Sequence, residues 1–308
     1  MRIIVTGANG FVGRALVEAL LETGDHDVVA VDKTSPSSPA LEAASWVCGD
    51  IGEPKVIRSL FQQPCDALIH LATLPGGAAE QNRQLARQVN LDVTLDLLEA
   101  ARSGSTVPRI VFASSIAVYG EFADDVIDDD TLPAPHTVYG AQKAMAEIWI
   151  ATLTRRGEIS GLSLRLPGVV ARPQAPSGMK SAFMSNVFHA ASNAEIFDAP
   201  VSPDATMWLM SRQCVVKNIL HALTLNTEDL PNSFAVTLPG LRVAMQDLAQ
   251  AIAQYAGCEQ DFIRYIPDAD LEAVFGRQPD HQLCSAALLG FSDDGDLHHL
   301  VDSAFATL

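Results

Sequence analysis

The sequence predicts an α/β fold, a doubly wound parallel sheet with a smaller C-terminal region, from three observations. Short apolar runs alternate with longer segments of helical period over residues 1–170. Those runs lack strict alternation, as suits strands covered on both faces. Beyond residue 170 the rhythm becomes irregular, and 172–177 and 199–205 are rich in Pro, Ser and Ala.

Residues 3–6, Ile-Ile-Val-Thr, read as the first strand. Residues 11–21 carry Phe11, Ala15, Leu16 and Ala19 at helical spacing, and Gly24 follows as a stop. Residues 28–31 are the second strand, 67–71 repeat the strand signal, and 109–113 do so again after a helix over 81–102. The helical pattern returns over 139–155, and 163–170 is a further strand. Six carboxylates (Glu121, Asp124, Asp125, Asp128, Asp129, Asp130) precede Pro133 and Pro135. Without the central glycine and terminal glutamate of a calcium loop, they read as a solvated loop.

The chain has 308 residues, 48% of them hydrophobic, enough for one large core or two that share an interface. Its 20 Lys and Arg against 37 Asp and Glu give a net charge of −17, which argues against a nucleic-acid binder. The five cysteines, Cys48, Cys65, Cys214, Cys258 and Cys284, are widely spaced with no CxxC pair, so neither a disulfide framework nor a zinc knuckle is signalled. The eight histidines show no metal spacing, and only His298 and His299 are adjacent. Residues 1–7 hold too short an apolar run for a signal peptide, and no segment approaches the length of a membrane span. The expectation is a cytoplasmic protein with no metal and no membrane partner.

Gly7-Ala8-Asn9-Gly10-Phe11-Val12-Gly13 stands between a strand and a helix. Glycines there permit a tight turn and let the backbone approach a pyrophosphate, while the helix N-terminus offers free amides. Asp32 closes the second strand, where a carboxylate accepts hydrogen bonds from the adenine ribose and repels a 2′-phosphate. NAD is therefore favoured over NADP, with the neighbouring Lys33 pulling the other way. Cys48-Gly49-Asp50-Ile51 and His70-Leu71-Ala72-Thr73 end later strands at the same edge and would face the same crevice.

Tyr139 and Lys143 are four residues apart, on one face of their helix. A phenol, with a reference pKa of about 10, is a poor base at neutral pH, and a fixed cation beside it favours the phenolate. Ser114-Ser115, after the strand over 109–113, could bond the substrate oxygen.

Gly7, Gly10 and Gly13, Asp32, the run Val111-Phe112-Ala113-Ser114-Ser115-Ile116-Ala117-Val118-Tyr119-Gly120, and Tyr139 with Lys143 together resemble the extended short-chain dehydrogenase/reductase family, of the NAD-dependent epimerase/dehydratase type. The resemblance implies a Rossmann-like NAD-binding domain over 1–170. Residues 171–308 would be mainly substrate-binding, with some segments returning to the Rossmann core. It also implies a catalytic set of Ser115, Tyr139 and Lys143, with Ser115 preferred to Ser114 as the serine four residues before Tyr119. The implied cofactor contacts are Gly7, Asn9, Gly10, Phe11, Val12, Gly13, Asp32, Asp50, Ile51, Leu71, Ala72, Thr73, Asn90, Ser114, Tyr139, Lys143, Leu166 and Val169. A homodimer is implied through the helices over 81–102 and 139–155, the second of which carries Met145, Ile148, Trp149 and Thr152 as an apolar stripe that would equally suit burial on the chain's own sheet.

Two segments depart from family members that handle nucleotide-sugars: Leu164-Arg165-Leu166-Pro167-Gly168-Val169-Val170-Ala171-Arg172-Pro173 and Met207-Trp208-Leu209-Met210-Ser211-Arg212. They are similar to a branch that oxidises the C2 hydroxyl of a four-carbon sugar acid with NAD; the alternative is a nucleotide-sugar epimerase or dehydratase. A sugar acid needs a cation for its carboxylate, and Arg172 and Arg212 are the candidates, with Lys180 behind them. A structural ion pair is the competing use of either arginine. Ile116 joins Ser115 and Tyr139 among the expected substrate contacts, and Trp208 and Met184 would form an apolar wall or simply core. Arg165, inside an apolar strand, reads as structural.

Overall fold

The computed structural model describes every residue except Ser37, 123–125 and 175–179. Asp124 and Asp125 of the acidic run thus lie outside the described residues. The strands are, in chain order, β1 (Arg2–Thr6), β2 (Asp27–Asp32), β3 (Ser45–Cys48), β4 (Ala67–His70), β5 (Arg109–Ser115), β6 (Val126–Asp128), β7 (Ser160–Leu166), β8 (Gly168–Val170), β9 (Phe197–Ala199), β10 (Thr206–Ser211), β11 (Ala235–Thr237), β12 (Leu241–Ala244), β13 (Ile263–Tyr265) and β14 (Asp280–Gln282). Seven form one all-parallel sheet in the order β11-β7-β5-β4-β1-β2-β3. The winding reverses at β1, which lies between β2 and β4. A crevice therefore opens beyond the carboxyl ends of β1 and β4.

Strand side chains alternate between two helical layers. Ile3 and Val5 of β1 pack with Leu16, Val17 and Leu20 of the helix Phe11–Glu22 and with Val215 and Ile219 of the helix Arg212–Ala222. Ile4 turns to the other face, with Leu97 of the helix Val93–Arg102 and Ile150 of the helix Val138–Arg155. Burial on both faces explains the unbroken apolar runs. A second core, around Phe188, Leu209, Leu248, Ile252 and Leu300, joins the three-stranded sheet β12-β10-β8 to the helices Phe183–Ser192, Met245–Ala256 and Leu297–Phe305. Among the described residues, no helix is long and apolar enough to cross a membrane.

Two elements differ from the sequence reading. The strand expected over 163–170 is cut at Pro167: β7 joins the large sheet and β8 pairs with β10 in the small one. Proline has no N–H to give a ladder, so the break falls there. The helix expected over 81–102 is preceded by a separate piece, Gly76–Gln81, and runs unbroken from Arg83 to Arg102, as Arg83–Arg87 and Val93–Arg102 joined by a π turn over Gln88–Asp92 that carries Asn90. Asn82 ends the first piece and caps the second, its Oδ1 accepting from the Leu85 N–H at 3.0 Å.

Candidate active site

Gly7 turns the chain at φ +69°, and a Cβ there would lie 2.8 Å from the Ala72 nitrogen. A Cβ on Gly13 would run into the Gly7 carbonyl. The loop is thereby drawn tight over the ends of β1 and β4, and the helix Phe11–Glu22 starts with no side-chain cap, its first amides open to an anion. The Asp32 carboxylate accepts from the Asn9 N–H at 3.0 Å, and the Asn9 side-chain amide donates to Thr34 Oγ1 at 2.7 Å and the Ser35 carbonyl at 2.9 Å. Asn9 Oδ1 is buried with no partner, an acceptor left for a hydroxyl. This glycine cradle and its unused acceptor fit the pyrophosphate and ribose of a dinucleotide.

Several of the expected cofactor contacts already hold partners within the chain. Asp50 is held by Lys33 at 2.9 Å and by the Gly52 N–H at 2.8 Å, and these keep its carboxyl below the usual range. The same pair occupies the Lys33 ammonium. Ile51 packs into the core with Val29, Val31 and Val56. Ser114 Oγ donates to Glu147 at 2.5 Å, turned into the interior.

Below the loop runs a string of ordered hydrogen bonds. Thr6 and His70 are partners at the ends of β1 and β4. The Ala72 N–H donates to Thr6 Oγ1 at 3.3 Å, and Thr6 Oγ1 lies 2.6 Å from His70 Nδ1. His70 Nε2 lies 2.9 Å from Thr94 Oγ1, which donates to the Asn90 carbonyl at 2.9 Å. Since Thr94 spends its hydrogen on that carbonyl, His70 must donate from Nε2 and accept at Nδ1 from Thr6. Burial, with Lys143 adding to it, pushes the imidazole pKa down to about 3, so His70 is neutral. Asn90 clamps the adjoining loop: its Oδ1 accepts from Thr73 Oγ1 and the Leu74 N–H, and its Nδ2 donates to the Leu74 carbonyl and Gln142 Oε1.

The helix Val138–Arg155 brings up the remaining groups. The Thr137 side chain caps it, accepting from the Gly140 N–H at 3.0 Å, and a Cβ on Gly140 would strike the Ala117 carbonyl. Glycine beside Tyr139 thus seats the helix against the turn that follows Ser115. There the half-buried Tyr139 hydroxyl bonds Thr73 and Ser115; burial raises its pKa, opposed by Arg172 and by those two bonds. Lys143 is 1% exposed, donates to the Ala113 carbonyl at 2.7 Å, and lies 4.5 Å above the Phe112 ring and 5.5 Å from that of Tyr139. Burial pushes its pKa down to about 7, with the Glu147 charge opposing.

Glu147, one turn beyond Lys143 on the same face, is a residue that the sequence reading passed over. It accepts from Arg165 Nη2 at 2.8 Å, while Arg165 Nη1 donates to the Tyr119 hydroxyl at 2.9 Å. Burial works against the Arg165 charge, but the bonds and charge of Glu147 outweigh it and raise the pKa. The signal was present as a charged residue on the inward face of a helix and an arginine inside an apolar strand, which need each other.

A cavity of about 260 Å³ is lined by Phe11, Val169, Arg172, Met184 and Asn186 among others. Arg172 belongs both to this wall and to the surroundings of Tyr139, and its Nε donates to the Val169 carbonyl at 3.0 Å. Its backbone N–H donates to Ser185 Oγ at 3.0 Å. Leu166 packs against the first core. Arg212 is not itself in the lining but stands behind it, its guanidinium 5.2 Å from the ring of Phe11 and its Nε buried without a partner. Trp208, expected as a substrate contact, is instead 0% exposed, with its indole N–H donated to the Pro279 carbonyl at 2.7 Å. Ile116 shares its cluster and is likewise buried. The alternating register of β10 turns Trp208 inward, and the carbonyl that satisfies its N–H comes from a segment 71 residues away.

The model of the NAD dependent epimerase/dehydratase family matches residues 3–209. A D-erythronate dehydrogenase of Cupriavidus necator is 33% identical, over 98% of this chain and 97% of its own length. One of Haemophilus influenzae is 29% identical over 98% of each chain. Among solved structures, the nucleoside-diphosphate-sugar epimerase of Agrobacterium tumefaciens superposes with a TM-score of 0.89 at 28% identity, covering 98% of this chain and 92% of that one.

Proposed function

The chain belongs to the NAD dependent epimerase/dehydratase family, and we propose that it is an NAD-dependent dehydrogenase that oxidises the C2 hydroxyl of D-erythronate to 2-dehydro-D-erythronate. The observation that carries this reading is Arg172, a guanidinium in the wall of a small cavity and beside the Tyr139 phenol. An acid whose carboxylate meets Arg172 carries its C2 hydroxyl on the adjacent carbon, within reach of Tyr139 and Ser115. The two curated relatives named for this activity, matched over nearly the whole chain, support the same substrate. A nucleotide-sugar is disfavoured by the two segments, 164–173 and 207–212, that depart from family members handling such substrates.

In this reading Tyr139 takes the hydroxyl proton, Ser115 orients the oxygen, and Lys143 favours the phenolate and bonds the cofactor ribose. NAD, held by the Gly7–Gly13 cradle and Asp32, supplies the hydride acceptor. The reading assigns cofactor binding to 1–170 and substrate binding mainly to 171–308. It also includes a cytoplasmic homodimer, through the face on which Met145, Ile148 and Trp149 are 46%, 67% and 39% exposed.

The test is NADH formation, followed by absorbance, with D-erythronate, L-threonate, other small aldonates and UDP-sugars, each with NAD and NADP. Steady NADH release with D-erythronate is expected. No NADH with any acid, together with conversion of a UDP-sugar, would transfer the chain to the epimerases.

A further inference from the structure

We infer that Asn186 reads the hydroxyls of the substrate beyond C2, and so sets a preference for a polyhydroxylated acid over a simple hydroxy acid; this rests on the sugar-acid reading above. Asn186 lies on the helix Phe183–Ser192, whose Phe183, Met184, Val187 and Phe188 sink into the second core. Asn186 itself is half-buried and lines the cavity together with Arg172, Ser181 and Ser185.

The polar side chains of that wall differ in what they already hold. Arg172 Nε is bound to the Val169 carbonyl, and Ser185 Oγ accepts from the Arg172 N–H. Asn186 has no hydrogen-bond partner among the described residues. A carboxamide on the wall of a cavity leaves one acceptor and two donors to be satisfied by whatever enters. A hydroxyl both donates and accepts, and it matches that pair of groups. A carboxylate would use only the N–H₂.

Position gives the same assignment. Arg172 adjoins Tyr139, so an acid with its carboxylate on Arg172 and its C2 hydroxyl at Tyr139 must extend its remaining carbons along the cavity wall. Met184 supplies apolar surface there and Asn186 the polar group, with Ser181 as its neighbour.

The experiment compares wild type, Asn186→Leu and Asn186→Ser, with D-erythronate and with 2-hydroxybutanoate of the same C2 configuration, which lacks the distal hydroxyls. NADH release gives kcat and KM for each, and fluorescence titration gives the Kd for NAD. Asn186→Leu should lower kcat/KM for D-erythronate about 10–100-fold, the worth of two neutral hydrogen bonds, mainly through KM. With 2-hydroxybutanoate the change should stay within about threefold and NAD affinity should not move, because no neutral hydrogen bond is lost. Asn186→Ser, which keeps a donor and an acceptor, should fall between the two and carries the comparison if the leucine variant does not fold. Equal losses on both acids, or an unchanged ratio, would overturn the assignment while leaving the dehydrogenase reading intact. Wild type that oxidises neither acid would remove that reading and this inference with it.

Discussion

The loop from Gly7 to Gly13 and the cavity wall of Val169, Arg172, Met184 and Asn186 stand at two ends of the candidate site, but the first is made of backbone and the second of side chains. The loop works by what it lacks: Gly7 and Gly13 carry no Cβ, and a dinucleotide would meet peptide amides and a helix end. The wall gathers Arg172, Met184 and Asn186 from a loop and a helix packed on a separate core. A backbone site needs a local pattern and admits one kind of ligand. A side-chain site can be rebuilt residue by residue, and there a family can change substrates without touching its cofactor.

Substitutions can break that contrast or sharpen it. Tyr139→Phe, at the junction of the two regions, should have the largest effect: kcat down by about 10²–10⁴, with the Kd for NAD unchanged by titration. If kcat survives, the proton acceptor is another group. Arg172→Met should raise KM for the acid about 30-fold or more and spare NAD binding; weakened NAD binding instead would mean that the wall belongs to the cofactor. Asp32→Ser should narrow the preference for NAD over NADP by about tenfold, the scale of one charge-assisted hydrogen bond, without changing KM for the acid. An effect of another kind is on stability. Lys143, at about 7 folded against an ordinary 10.5, binds fewer protons folded than unfolded between those values. Stability should therefore rise with pH across that window, by at most about 1.4 kcal/mol per unit. Thermal melts of Lys143→Met should lack this slope, and a slope that persists would assign it to other groups.

The same contrast governs what the sequence alone could tell. The strand–loop–helix of residues 2–22 was legible because its glycines, apolar run and helical stripe are contiguous. The approach of Tyr139 to Ser115 was legible through two local spacings and a strand end. The break at Pro167 was written in the residue itself, yet the apolar run on either side masked it. Trp208 stayed ambiguous between wall and core because an aromatic residue in a short strand looks the same in either place; only the Pro279 carbonyl, far along the chain, decides for the core. Asn186 gave no signal at all, since a single asparagine on an amphipathic helix acquires meaning only when the fold brings Arg172 into the same cavity wall.

The His70 string has an electrical consequence. It begins at the peptide N–H of Ala72 and ends at the peptide carbonyl of Asn90. Neither terminus can release or accept a proton, and the imidazole between them stays uncharged. Every hydrogen is committed in one direction, so the chain is a wire with both ends sealed. It insulates the floor of the crevice: a proton taken up at Tyr139 has no conducting path along this string through β1 and β4.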